Sequence, residues 1–269
     1  MNNQKDQMAR ANYLARVLVA VVMVCCLSSG SSAQKRQIRV AAAADLQTVM
    51  PEIARAFEAQ TGTSVHVVYG SSGNFYAQIQ NGAPLDVFFS ADNEYTKKIG
   101  QTGLAEPDSE VIYALGKIVL WMPAASKCNP ERDQWKCLQD RDVKKIAIAN
   151  PDHAPYGRAA VAALKRAGIY EEIREKLVYG ENISQTAQFA QSGNAQAAIL
   201  AYSLALSPAL LDGKRWEVPA ELYPRIEQGA VVLKSSKEKS AAHDFVKFVT
   251  QSPGREIMAK FGFELPAAL

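Results

Sequence analysis

The chain has 269 residues, with 30 Lys+Arg against 27 Asp+Glu, a formal net charge of +3 and 48% hydrophobic residues. That apolar share is enough for a real core and excludes a disordered chain. A charge so near zero argues against a nucleic-acid binder, which needs a clustered basic face, and three histidines with four cysteines leave little material for a metal enzyme.

In chain order, residues 1–33 read as a secretory signal. Lys5, Arg10 and Arg16 form a positive n-region, Val17 to Leu27 is an unbroken apolar run, and Ser31 and Ala33 supply the small residues of a cleavage site. Eleven apolar residues rise about 16 Å as a helix, short of the roughly 30 Å a membrane anchor needs. Lipid attachment at Cys25 or Cys26 is a further alternative, disfavoured by the bulky Met23 and Val24 before them. Without this segment the charge is +1 and only Cys128 and Cys137 remain. In an exported chain two cysteines nine positions apart point to a disulfide, with two free thiols as the alternative.

Beyond the signal, strand-length apolar runs alternate with helical patterns. Strands are expected at Ile38–Ala43, Val65–Tyr69, Val87–Ser90, Lys117–Met122, Lys145–Ala149, Leu177–Tyr179, Ala197–Tyr202 and Ala230–Lys234. Helices are expected from Leu46 to about Ala59, then at Ser72–Gln80, Glu94–Gly100, Tyr156–Ala167, Ser184–Ser192, Lys239–Thr250 and Pro253–Phe261. The alternation implies βαβ units and largely parallel sheets. The elements are too many for one sheet, so two α/β lobes are expected.

Three strand-to-helix junctions carry candidate chemistry. Ala42-Ala43-Ala44-Asp45-Leu46 is built of small residues that let a ligand approach the backbone, with Asp45 placed to cap the next helix. Tyr69-Gly70-Ser71-Ser72-Gly73-Asn74 sets glycines and hydroxyls at a helix start, where free N–H groups and the helix dipole favour an anion. Asn150-Pro151-Asp152-His153-Ala154-Pro155-Tyr156-Gly157 opens another helix. In open α/β sheets ligands bind at the carboxyl ends of strands, where all three lie. A nucleophile elbow at Gly70-Ser71-Ser72-Gly73 fails because position 74 is Asn. No acid–base order links His66, His153 and His243, each of which has an ordinary turn or surface reading.

VAAAADL, YGSSGNFYAQIQNGAPLDVFFSAD, ANPDHAPYGRAA and the ending KFGFELP together resemble the periplasmic molybdate-binding proteins of ABC importers, from about Gln37 to Pro266. The resemblance implies an α/β fold of the two-lobed type 2 periplasmic-binding-protein kind. Each lobe would be a mostly parallel sheet flanked by helices, and hinge strands would join the two. Lobe I would take 34–116 plus 232–269, and lobe II 117–231. The implied function is a monomeric, periplasmic, non-enzymatic receptor that captures molybdate, and tungstate with it, and delivers it to an ABC permease at the inner membrane. No cofactor is implied, and molybdenum would be held only as the oxyanion, through Ser72, Tyr156 and Ile183. Another oxyanion or small organic anion in the same fold is the alternative, and a secreted serine hydrolase the remote one.

The implied oxyanion set is Ala44, Asp45, Ser71, Ser72, Tyr156, Ile183, Ala201 and Tyr202. Two positions depart from the family pattern. Asp45 stands where many members have serine, and Ala201 where some have tyrosine, with Tyr202 one place later. An ionised Asp45 would repel a dianion. Its side chain is therefore expected to turn back toward Thr48 as a cap, leaving the amides of Ala44 and Asp45 to the ligand. The sharper alternative is that Asp45 accepts a proton from a protonated oxyanion.

Overall fold

Apolar runs with no polar alternation become strands covered on both faces. The computed structural model describes residues 36–267, so the expected signal at 1–33 lies outside the described residues. In chain order the strands are β1 Gln37–Ala43, β2 Ser64–Gly70, β3 Val87–Ser90, β4 Val111–Gly116, β5 Ile118–Met122, β6 Ile146–Ala149, β7 Leu177–Gly180, β8 Ala197–Ala201, β9 Lys214–Glu217 and β10 Ile226–Val232. The principal helices are α1 Met50–Thr61, α2 Ser72–Gln80, α3 Asn93–Gln101, α4 Pro155–Arg166, α5 Ile183–Gln191, α6 Lys239–Thr250 and α7 Gly254–Lys260.

The strands form two five-stranded sheets of the same design, ordered β2-β1-β3-β10-β4 and β7-β6-β8-β5-β9. Alternation along β1 sorts its side chains. Ile38, Val40 and Ala42 pack with Phe57 of α1 and Phe245 of α6, whereas Ala41 packs with Phe75 of α2 and Ile99 of α3. Edge-on ring contacts of Phe57 with Phe245 at 5.0 Å and with Phe248 at 5.5 Å tie α1 to α6. In the second lobe Ala159, Ala160 and Ala163 let α4 lie close on the sheet. A Cβ on Gly157 would fall 2.1 Å from the carbonyl oxygen of Ala149, so only glycine fits where α4 leaves β6.

The sheets are mixed rather than mostly parallel. β10 runs antiparallel to β3 and β4, and β5 antiparallel to β8 and β9. The reason is the double crossing of the chain. β1, β3, β6 and β8 run toward the cleft between the lobes, whereas β5 and β10 enter their sheets from it. The first crossing is at Lys117, between β4 and β5. The second lies in 218–225, because Gly229 to Val232 pair with β3, and β4 pairs with β10 as far back as Ile226. Residues 226–231, expected in lobe II, therefore belong to the first sheet.

Two further expectations change. The helix expected from Leu46 is a 3-10 turn at Ala44–Leu46 followed by α1, and β4 and β9 had no counterpart in the sequence reading. Between β5 and β6 the chain makes two one-turn helices, and Cys128 is bonded to Cys137 (S–S 2.06 Å). No helix among the described residues is long and apolar enough to cross a membrane.

Candidate functional site

The ends of β1, β2, β3, β6 and β7 meet at a small cavity of about 10 Å³ between the lobes. From the first lobe it is lined by Ala43, Ala44, Asp45, Gly70, Ser71, Ser72 and Ala91, and from the second by Ala154, Pro155, Tyr156, Asn182 and Ile183. The lining contains no Lys, Arg or His.

Three helices begin at this cavity. Ser72 is the first residue of α2, Tyr156 the second of α4 and Ile183 the first of α5. First-turn amides have no intrahelical acceptor, and the positive end of each helix dipole faces the same space. The caps divide the work. Ser71 accepts from the amide of Asn74 at 3.4 Å, and Asn182 accepts from the amides of Ser184 and Gln185 at 3.0 Å. Pro155 starts α4 without an N–H. Ser72 is fully buried, and its Oγ accepts from the amide of Ala91 at 2.9 Å. With that acceptor position filled, the hydroxyl proton is available to a bound anion.

Asp45 is also fully buried, but it is no cap; the 3-10 turn and α1 make no side-chain capping bond. Its Oδ2 accepts from the Tyr156 hydroxyl at 2.9 Å and from Gln228 Nε2 at 2.7 Å, and Oδ1 has no partner. The expected cap loses because two better donors, from α4 and β10, converge on the carboxylate. Thr48, its expected partner, is left with an unpaired buried hydroxyl. Burial pushes the Asp45 carboxyl up from 3.8 to about 6, against the lowering effect of the Gln228 and Tyr156 hydrogen bonds. Burial first, then the nearby Asp45 charge, holds the Tyr156 and Tyr113 hydroxyls well above their ordinary value.

Of the expected set, Ala44, Asp45, Ser71, Ser72, Tyr156 and Ile183 come together around the cavity, whereas Ala201 and Tyr202 do not line it. Ala201 ends β8 fully buried. Tyr202 gives its amide to Lys117 O at 2.9 Å and lies over Gly262. Their neighbour Ser203 is the residue that reaches the site, donating to Asp45 O at 3.1 Å.

Further contacts crossing the cleft were not legible in the sequence. Gly73 N donates to His153 O at 3.0 Å, and Asn74 Nδ2 to Glu181 Oε1 at 2.6 Å. Gln47 pairs with Ser184, and Arg158 with Asp92. His153 bonds to the Glu181 carbonyl at 2.9 Å, so it serves the rim and not Ser72. Gln228 is the clearest omission. Its signal was a polar residue at the head of an apolar run, Gln228-Gly229-Ala230-Val231-Val232, buried to 0% exposure in β10.

Two lobes joined by two crossings, with helix N-termini aimed at a cavity between them, define the class of two-lobed binding proteins. The chain belongs to the bacterial extracellular solute-binding protein family, whose model matches residues 38–264. It is 39% identical over 228 residues to the molybdate-binding protein ModA of Rhodobacter capsulatus, covering 84% of this chain and 88% of that one. It is 37% identical over 256 residues to ModA of Azotobacter vinelandii, covering 94% and 98%. The solved periplasmic molybdate-binding protein of Azotobacter vinelandii superposes with a TM-score of 0.80 at 35% identity, over 85% of this chain and 99% of that one. The sulfate-binding protein SubI of Mycobacterium tuberculosis shares the fold, with a TM-score of 0.70 at 15% identity over 86% and 88%.

Proposed function

We propose that this protein captures molybdate between its lobes in the periplasm and delivers it to the permease of an ABC transporter. The observation that carries the reading is a small cavity at three helix N-termini, lined by Ser71 and Ser72 and free of Lys and Arg. It is supported by the similarity to molybdate-binding ModA proteins over most of the chain. Fixed N–H and O–H dipoles replace countercharge. A hydrogen bond to a charged group contributes about 1.5–3 kcal/mol net. Five to seven such bonds are worth roughly 8–20 kcal/mol before closure and desolvation are subtracted, enough for sub-micromolar affinity.

Cavity size sets selectivity. Molybdate and tungstate have longer bonds than sulfate or phosphate, so a site sized for them under-coordinates the smaller ions. On this reading the protein works as a monomer, holds no cofactor and performs no catalysis, its partners being the oxyanion and the permease. Residues 1–33 are the export signal, and the site is Ala44, Asp45, Ser71, Ser72, Tyr156 and Ile183. A thermal-shift comparison tests it. Molybdate at 100 times its Kd stabilises by about 2.7 kcal/mol, sulfate and phosphate by much less. No shift with molybdate or tungstate rejects the reading.

A second reading rests on Asp45, whose unpartnered Oδ1 belongs to a residue lining the cavity. An ionised carboxylate there suits an anion that still carries a proton. Asp45→Ser then changes the ranking of anions, and an unchanged ranking removes this reading.

A further inference from the structure

The Tyr156 hydroxyl spans the cleft behind the anion site. It donates to Asp45 Oδ2 at 2.9 Å and accepts from Gln228 Nε2 at 2.8 Å. Gln228 sends its other amide proton to Asp45 Oδ2 at 2.7 Å, so three polar groups close a triangle. All three are buried. Tyr156 belongs to α4 of the second lobe, Gln228 to β10 of the first, and Asp45 to the 3-10 turn after β1. The triangle lies against the first crossing, since a Cβ on Gly116 would fall 2.5 Å from the Tyr156 hydroxyl and 2.9 Å from Gln228 Nε2. Gly116 is the last residue of β4, immediately before Lys117. A side chain at that position would displace the hydroxyl from both partners.

We propose that Gln228 and the Tyr156 hydroxyl form a clasp that holds the lobes shut at the hinge and so sets how long the anion stays bound. The inference rests on the anion-receptor reading above. Gln228 acts as a positioning residue, because it does not line the cavity and reaches it only through Tyr156 and Asp45. The clasp fixes the start of α4, and with it the Tyr156 amide at the cavity. When the lobes part, the buried Tyr156 hydroxyl and Gln228 amide give up each other and meet water. The clasp therefore opposes opening more than it assists encounter with the anion.

The test uses Tyr156→Phe, which removes one oxygen, Gln228→Met, which keeps length and loses the donors, and the two combined. Molybdate dissociation is followed by stopped-flow, and the anion-free proteins are compared by small-angle scattering. Gln228→Met breaks one hydrogen bond between the lobes and speeds dissociation by up to about tenfold, and Tyr156→Phe breaks two and speeds it further, with association altered far less in both. The double variant is no faster than the faster single one, because both changes break the same unit. Wild-type dissociation in the variants, or effects that multiply in the double, overturns the clasp. If molybdate fails to bind the wild-type protein, the ligand assignment falls and scattering alone decides. A larger radius of gyration in the variants supports the clasp, and wild-type scattering overturns it.

Discussion

Ser72 and Asp45 sit on opposite sides of one electrostatic question. Ser72 Oγ accepts from Ala91 N at 2.9 Å, so its proton has no better use than a bound anion. Ser72→Ala removes that donor and weakens molybdate binding by about 1.5–3 kcal/mol, roughly ten- to 150-fold in Kd, readable by titration at fixed ionic strength. Asp45 acts in the other direction. Its pKa in the folded protein is about 6 against 3.8 for the free carboxyl, so the folded state binds the extra proton. The stabilisation associated with that proton is complete below about pH 4 and is lost as pH rises through 6, a change of about 3 kcal/mol. Asp45→Asn carries no such dependence. Its unfolding free energy relative to wild type therefore rises between pH 4 and 7 in denaturant titrations, and a flat difference would contradict the assignment. The same sign predicts that anion binding tightens as pH falls through 6 in wild type, since protonation removes a repelling charge. The serines, the small residues and Asp45 were legible as a junction pattern. What Asp45 does was not, because its partner Gln228 is 183 positions away in sequence.

At the level of elements, the site depends on where helices start. The junctions after β1, β2 and β6 could be read from small residues, glycine, serine and proline following apolar runs. The helical pattern places the start of α5 at Ser184, one residue after its observed start at Ile183; only the family resemblance marks Ile183 as a site residue, and Asn182 is the cap. Mixed pairing escaped sequence reading because direction is not encoded in local apolar pattern. The apolar pattern starts the last strand only at Ala230, because Glu227, Gln228 and Gly229 interrupt it, whereas β10 spans all of Ile226–Val232. The element most sensitive to a small change is the start of α4. Gly157→Ala sets a Cβ against the Ala149 carbonyl, which must shift because the clash is with backbone. The expected loss is at least about 1–3 kcal/mol of stability, measured by urea unfolding, together with weakened anion binding because Tyr156 moves with the helix.

The whole molecule explains why a nearly neutral chain can hold an anion. Its net charge of +3 supplies no general attraction, and the cavity contains no cation. On the proposed reading, recognition falls to dipoles contributed by both lobes, and the site is complete only when the lobes meet. The disulfide lies outside that machinery, in the excursion between β5 and β6. Reducing Cys128–Cys137 releases a loop whose closure is worth about 2–3 kcal/mol. It is expected to lower the unfolding midpoint in denaturant while leaving molybdate affinity unchanged. On the proposed reading, donors without countercharge, in a cavity of fixed size, select the larger tetrahedral dianions. Isothermal titration of the purified protein with molybdate, tungstate, sulfate and phosphate tests it most directly. One site is expected, with sub-micromolar Kd for molybdate and tungstate and far weaker binding of sulfate and phosphate. Equal affinity for all four, or no heat with molybdate, would contradict it.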